Sequence, residues 1–85
     1  MQIRVRVLYF AQARDASGLS EEVFSLPVRA PLRALLDGVT SRHPALAGMT
    51  KSMQVAVNEE IADARSRLKD GDVVALLPPV EGGLR

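Results

Sequence analysis

The sequence predicts an α+β domain in which a mixed sheet is covered on one face by one main helix. Three observations carry that reading. The chain opens with strict alternation, Ile3, Val5, Val7 and Tyr9 against Gln2, Arg4, Arg6 and Leu8, the period of a half-buried strand. Leu32, Leu35, Leu36 and Val39 then recur at helical spacing, one stripe turned toward a core. The last run, Val73 to Leu77, is apolar on both faces and so belongs in the middle of the sheet.

The elements follow in order. The polar side of the first strand changes character along its length, because Gln2, Arg4 and Arg6 are followed on the same side by Leu8 and Phe10. Arg14 to Ser20, with Asp15, Ser17 and Gly18, reads as a turn. Glu22 to Leu26 forms a second strand with Phe24 and Leu26 on one face, giving an N-terminal hairpin. Pro31 suits the first position of a helix, where its missing N–H costs nothing. Pro44 ends that helix by pushing the residue before it out of helical geometry. Ala45 to Ser52 reads as a connection, and Met53, Val55 and Val57 alternate with Gln54, Ala56 and Asn58 in a third strand. Asn58-Glu59-Glu60 makes a tight reversal, since Asn tolerates positive φ, and Ile61-Ala62 starts a short return strand. Asp70-Gly71-Asp72 is a turn whose glycine supplies positive φ. With one helix on one side, the opposite face of the sheet must expose apolar atoms or meet a partner.

Composition narrows the function. Eighty-five residues make one domain. A chain of this size buries roughly 60–70% of the surface its unfolded form exposes, a poor platform for a deep catalytic pocket. Eleven basic and ten acidic residues give a net charge of +1, which supports no nucleic-acid partner. There is no cysteine, so disulfides, thiolate metal sites and cysteine nucleophiles are excluded. The single histidine, His43, sits in the last helical turn, where it can cap carbonyls, and no metal is expected. No run of about 18 apolar residues is present, and the charged alternation of residues 2–6 breaks any signal-peptide core. No membrane contact and a cytoplasmic location are the expectation.

Past Leu77 the sequence reads Pro78-Pro79-Val80-Glu81-Gly82-Gly83-Leu84-Arg85. Two prolines stiffen the exit from the sheet, and two glycines leave no side chains to limit a close backbone approach. Such a segment suits a narrow channel into another protein's active site; a frayed terminus is the plain alternative. The expected organisation is a domain over residues 1–78 and a flexible tail over 79–85. Leu8, Phe10, Ile61 and one side of Leu76-Leu77 form a candidate docking patch. The alternative for Phe10 is that the strand bends and buries it. Arg14 is a candidate for an ion pair with a partner, or a solvated surface arginine.

Val7-Leu8-Tyr9-Phe10-Ala11-Gln12-Ala13-Arg14 resembles the opening strand and loop of the molybdopterin synthase small subunits. Val57-Asn58-Glu59-Glu60-Ile61, Leu68-Lys69-Asp70-Gly71-Asp72-Val73 and Pro78-Pro79-Val80-Glu81-Gly82-Gly83 follow in that family's order and spacing. The Asp-Gly-Asp turn is shared with thiamine-type sulfur carriers; the Phe-Ala-Gln-x-Arg loop together with the Pro-Pro-Val-x-Gly-Gly tail is far more specific. The resemblance implies a β-grasp, ubiquitin-like fold and a sulfur carrier that is not catalytic alone. An E1-like adenylyltransferase would consume ATP to adenylate the Gly83 carboxylate, and a sulfur donor would convert it to a thiocarboxylate. The large subunit, in a heterotetramer, would admit the tail and pass sulfur to a cyclic pyranopterin phosphate. The same resemblance assigns Phe10, Ile61 and Leu77 to contacts with that subunit, and it implies no permanently bound cofactor. The family pattern ends at the second glycine, whereas Leu84-Arg85 follow here. An expression remnant, a precursor trimmed by a peptidase, and a chain without carrier function are the three accounts of that extension. Carriers for thiamine or amino-acid biosynthesis and a ubiquitin-like protein modifier are the alternative functions.

Overall fold

The computed structural model describes residues 1–49 and 52–77. Among them, five strands form one sheet: β1 Gln2–Tyr9, β2 Glu21–Pro27, β3 Gln54–Val57, β4 Glu60–Ile61 and β5 Val73–Leu77. Two α-helices accompany it, α1 Ala11–Ser17 and α2 Leu32–Arg42. The order across the sheet is β2-β1-β5-β3-β4, so β5 is central, as an apolar strand with two covered neighbours must be. β1 runs parallel to β5, pairing Arg6 with Val73 through Tyr9 with Leu76; the other pairs are antiparallel. This is the ubiquitin-like β-grasp arrangement.

The alternation of β1 sorts its side chains without exception. Ile3, Val5, Val7 and Tyr9 are buried, and they meet Leu32, Leu35 and Val39 from α2. Each fully buried leucine contributes about 1.5–3 kcal/mol relative to exposure. From β5, Val74 and Leu76 face the same core, while Val73, Ala75 and Leu77 stay half-buried on the other side. Pro31 stands one residue ahead of α2 in extended geometry rather than as its first residue. The helix is capped by backbone: the Leu32 and Arg33 amides donate to the Ser66 and Ala64 carbonyls at 2.7 and 2.9 Å. It stops at His43, immediately before Pro44.

Two stretches differ from the sequence expectation. Residues 11–17 are helical, where a turn was expected from Arg14. The stretch Ala11-Gln12-Ala13-Arg14-Asp15-Ala16 has good helix formers at most positions, and Gly18 (φ 76) ends it in the left-handed conformation, its amide bonding the Arg14 carbonyl. Pro44–Leu46 is a single 3-10 turn that runs into the start of the expected connection, and it carries Leu46, fully buried, into the core. The β3–β4 reversal has positive φ at both Asn58 (51°) and Glu59 (72°), the geometry of a two-residue hairpin turn matched to strand twist.

The Asp70-Gly71-Asp72 turn is the fixed corner of the sheet. Gly71 (φ 88) turns its amide onto the Arg4 carbonyl at 2.8 Å, and the Arg4 amide donates to the Asp70 carboxylate at 2.8 Å. Asp72, 8% exposed, accepts from the Asn58 side-chain amide at 2.9 Å and from the Lys69 backbone at 2.8 Å. Asn58 in turn accepts the Val73 amide at 3.0 Å, so one buried carboxylate joins the β3–β4 hairpin to the start of β5. Among the described residues no helix is long and apolar enough to cross a membrane.

Replacing Asp72 with Ala removes a buried carboxylate and both charge-assisted bonds that it accepts, from the Asn58 side chain and the Lys69 amide, and is expected to cost about 2–3 kcal/mol. For a domain of this size that lowers the melting temperature by roughly 10 °C or more. Asp70→Ala, which removes one exposed bond, should cost about 1 kcal/mol or less. Thermal unfolding followed by circular dichroism separates the two; equal losses would show that burial of Asp72 is not what anchors the corner.

Candidate functional site

The uncovered face of the sheet carries a continuous apolar row. Leu8 pairs with Ala75, Ala75 with Ala56, and Ala56 with Ile61, so side chains from four strands line up in register across it. Ile61 is 63% exposed. Leu77 lies one row further along, opposite Gln54. An open groove of about 310 Å³ on this face is lined by Leu8, Asn58, Glu59, Val73 and Ala75. Toward β2 the row is bounded by an exposed ion pair between Arg6 and Glu21 at 3.6 Å.

Phe10 completes the patch through its backbone. Its extended geometry (φ −123, ψ 154) continues the alternation of β1 and puts it on the side of Leu8. Ala11 then takes φ 48, a left-handed conformation that costs a non-glycine residue about 1–2 kcal/mol, and the chain reverses into α1. Phe10 is left at the helix start, 43% exposed rather than folded into the core. Because β1 and β5 are parallel, Phe10 and Leu77 sit at the same pole of the sheet. Arg14 is on α1, not in a loop; it is exposed and forms no ion pair among the described residues. Pro78, Pro79, Gly82, Gly83, Leu84 and Arg85 lie outside the described residues, as does the expected boundary at residue 78.

Beneath the same pole, on the covered face, lies a polar cluster that sequence reasoning missed. Glu22 Oε1 accepts from the Tyr9 hydroxyl at 2.8 Å and pairs with His43 Nε2 at 2.7 Å. Arg42 donates to Oε2 at 2.8 Å, and its guanidinium lies 4.3 Å over the Phe24 ring. His43 therefore does not cap carbonyls with its ring; it packs edge-on against Tyr9 and ties the end of α2 to β2. The legible signal was the parity of β2, which puts Glu22 on the side of Phe24 and Leu26. Burial pushes the Tyr9 hydroxyl above its usual range, and the bond to Glu22 adds to it. Burial alone would raise Glu22 as well, but hydrogen bonds from Arg42, His43 and Tyr9 outweigh it and hold the carboxyl below its usual range. Among the described residues no three His, Cys, Asp or Glu side chains converge as a metal site.

A carboxyl held below its unfolded value stabilises the fold above about pH 4.3, and that contribution is lost as pH falls through the folded value. Glu22→Gln is expected to cost about 1–3 kcal/mol at neutral pH. The gap from wild type should close as the pH is lowered below about 4. Urea midpoints across that range measure it; a gap independent of pH would mean that the charge of Glu22 is not what the cluster uses.

Comparison with known proteins places this geometry. The ThiS family model matches residues 7–83. A molybdopterin synthase sulfur carrier subunit from Chlamydomonas reinhardtii is 39% identical over 83 residues, covering 95% of this chain and 100% of that protein. A complex of subunits 1 and 2 of the molybdopterin-converting factor from Helicobacter pylori contains a similar chain, with a TM-score of 0.63 and 30% identity over 95% of this chain and 100% of that one. The small archaeal modifier protein 1 from Methanosarcina acetivorans superposes with a TM-score of 0.85 at 26% identity, covering 98% of this chain and 99% of that one. With a family match over residues 7–83 and a relative 39% identical across that protein's full length, the chain belongs to the ThiS family, among the molybdopterin synthase sulfur carrier subunits.

Proposed function

We propose that the protein is the sulfur carrier subunit of a molybdopterin synthase and that Gly83 is the residue that carries the sulfur. The observation that carries this reading is the 39% likeness to such a subunit, which extends over that protein's full length. The exposed apolar patch is in keeping with it, since Phe10 and Leu77 share the pole at which the sequence continues toward Gly82-Gly83.

Chemistry follows from the terminus rather than from side chains. A Gly83 carboxylate attacks the α-phosphate of ATP on an E1-like adenylyltransferase and releases pyrophosphate. A donor of sulfide-level sulfur then attacks the acyl carbon, its new C–S bond replacing the C–O bond to AMP, a good leaving group, and leaves a thiocarboxylate. The large subunit receives Phe10, Leu77 and Ile61 on an apolar surface, with Arg14 at its margin, and the tail delivers sulfur to a cyclic pyranopterin phosphate. Pro78 and Pro79 direct that tail, and Gly82 lets it pass a narrow channel. Leu84 and Arg85 stand beyond the reacting residue, and this reading requires that Gly83 be freed of them, for which a trimming peptidase is the proposed partner. The likeness to an archaeal modifier supports a second reading, in which the same activated glycine is joined to lysines of other proteins.

Phe10→Asp and Leu77→Asp should each abolish binding to the large subunit while the isolated domain stays folded. A charge buried in an apolar interface costs roughly three kcal/mol or more. Calorimetric titration and circular dichroism on each variant test this; unfolding of either one would assign that side chain to the core.

Adenylation needs the carboxylate within about 3–3.5 Å of the α-phosphate, so a two-residue displacement should be ruinous. A form ending at Gly83 is expected to give an adenylate and then a thiocarboxylate with the host's activating enzyme and ATP, and the 85-residue form neither. Intact mass spectrometry distinguishes the products. No adenylate on the shorter form defeats the carrier reading, and lysine conjugates in place of thiocarboxylate would favour the modifier.

A further inference from the structure

At the pole opposite Phe10, four arginines surround the joint between the start of α2 and the 63–68 segment. Pro31 bridges to Arg67, the Leu68 amide donates to the Ala30 carbonyl at 2.9 Å, and the first α2 amides donate to residues 64 and 66. These contacts bring Arg29, Arg33, Arg65 and Arg67 together, all exposed. Arg29 and Arg67 line an open cleft of about 370 Å³, and Arg67 Nη1 donates to the Arg29 carbonyl at 3.2 Å. Among the described residues none of the four forms an ion pair. Asp63 accepts the Arg65 backbone amide at 2.8 Å, and Asp37, a turn along α2, forms no ion pair with Arg33.

Folding alone disfavours this arrangement. The positive end of a helix dipole repels cations, yet Arg33 occupies the first turn of α2 and no acidic residue does. Arg29 adopts φ 67, a conformation that suits glycine. Like charges are gathered where local rules favour the opposite sign, which is where a functional surface shows itself.

We propose that this pole is a docking surface for an acidic protein segment, independent of the sulfur-carrier reading. The helix amides are already taken by the 64 and 66 carbonyls, so guanidinium groups must do the binding, and their planar forks suit carboxylates. A lone small anion finds no buried converging donors here, whereas a run of Asp and Glu engages several arginines at once. Single-stranded nucleic acid binds where bases stack on exposed aromatics beside the cations. Here Tyr9 and Phe24 are buried and Phe10 is at the far pole.

The test uses the full chain, isotopically labelled, with a peptide of about ten alternating Asp and Glu residues as probe. Amide shifts should map to Arg29, Arg33, Arg65 and Arg67 and weaken as salt rises from about 50 to about 300 mM. R29Q/R67Q and R33Q/R65Q should each weaken the peptide about tenfold while leaving the melting temperature unchanged or raised. Absent shifts, shifts at the other pole, unchanged affinity in the variants, or unfolding of either variant would overturn the proposal. An oligonucleotide of equal charge that binds this pole more tightly than the peptide would do the same, in favour of nucleic acid.

Discussion

Everything in this molecule is arranged by the parallel pairing of its first strand with its last. A hairpin cannot join parallel neighbours, so β2, both helices, β3 and β4 all lie within the connection between β1 and β5. The pairing from Arg6–Val73 to Tyr9–Leu76 is started by the Asp70-Gly71-Asp72 corner, whose backbone and carboxylates grip β1 on one side and Asn58 on the other. Its geometric result is that both strands point to one pole. The exposed Phe10, the half-buried Leu77, α1 and the Glu22 cluster meet there because two terminal strands share a direction.

The two faces of the sheet have separate tasks. The covered face holds the core, closed at the pole of Phe10 by Tyr9, Glu22, His43 and Arg42. The open face contributes little to that core, which leaves Leu8 and Leu77 half-buried and Ile61 exposed. This division explains how a small domain can present apolar side chains without unpacking. Through the polar cluster the end of α2 also supports β1 at Tyr9, the residue immediately before Phe10.

Much of this was legible in the sequence, and the failures have physical causes. Strict alternation identified β1, a stripe with proline at each end identified α2, and an apolar last run identified the central strand. Periodicity had less to work with at α1, where a seven-residue helix buries little beyond Ala13 and polar turn formers flank it. Leu46 hid in a stretch that propensity reads as a connection, since one 3-10 turn has no period to detect. The Glu22 cluster needed the β2–α2 packing, because Tyr9, Glu22 and His43 are far apart in sequence and meet only through the fold. Leu8, Phe10, Ile61 and Leu77 were found as a group because strand parity and a central β5 already place them on one side. The register that aligns Leu8, Ala75, Ala56 and Ile61 could not be read from the chain alone.

The position of β5 also bears on how the molecule is made. The strand that fills the middle of the sheet is the last of the five to leave the ribosome. Until it emerges, β1 has a partner on one side only, and β3–β4 is a hairpin too short to persist in water. The nascent chain therefore stays open through most of its synthesis, with an unpaired β1 edge that holding chaperones or aggregation can reach. Closing the sheet needs Val73–Leu77, so it can follow only the synthesis and emergence of every other strand.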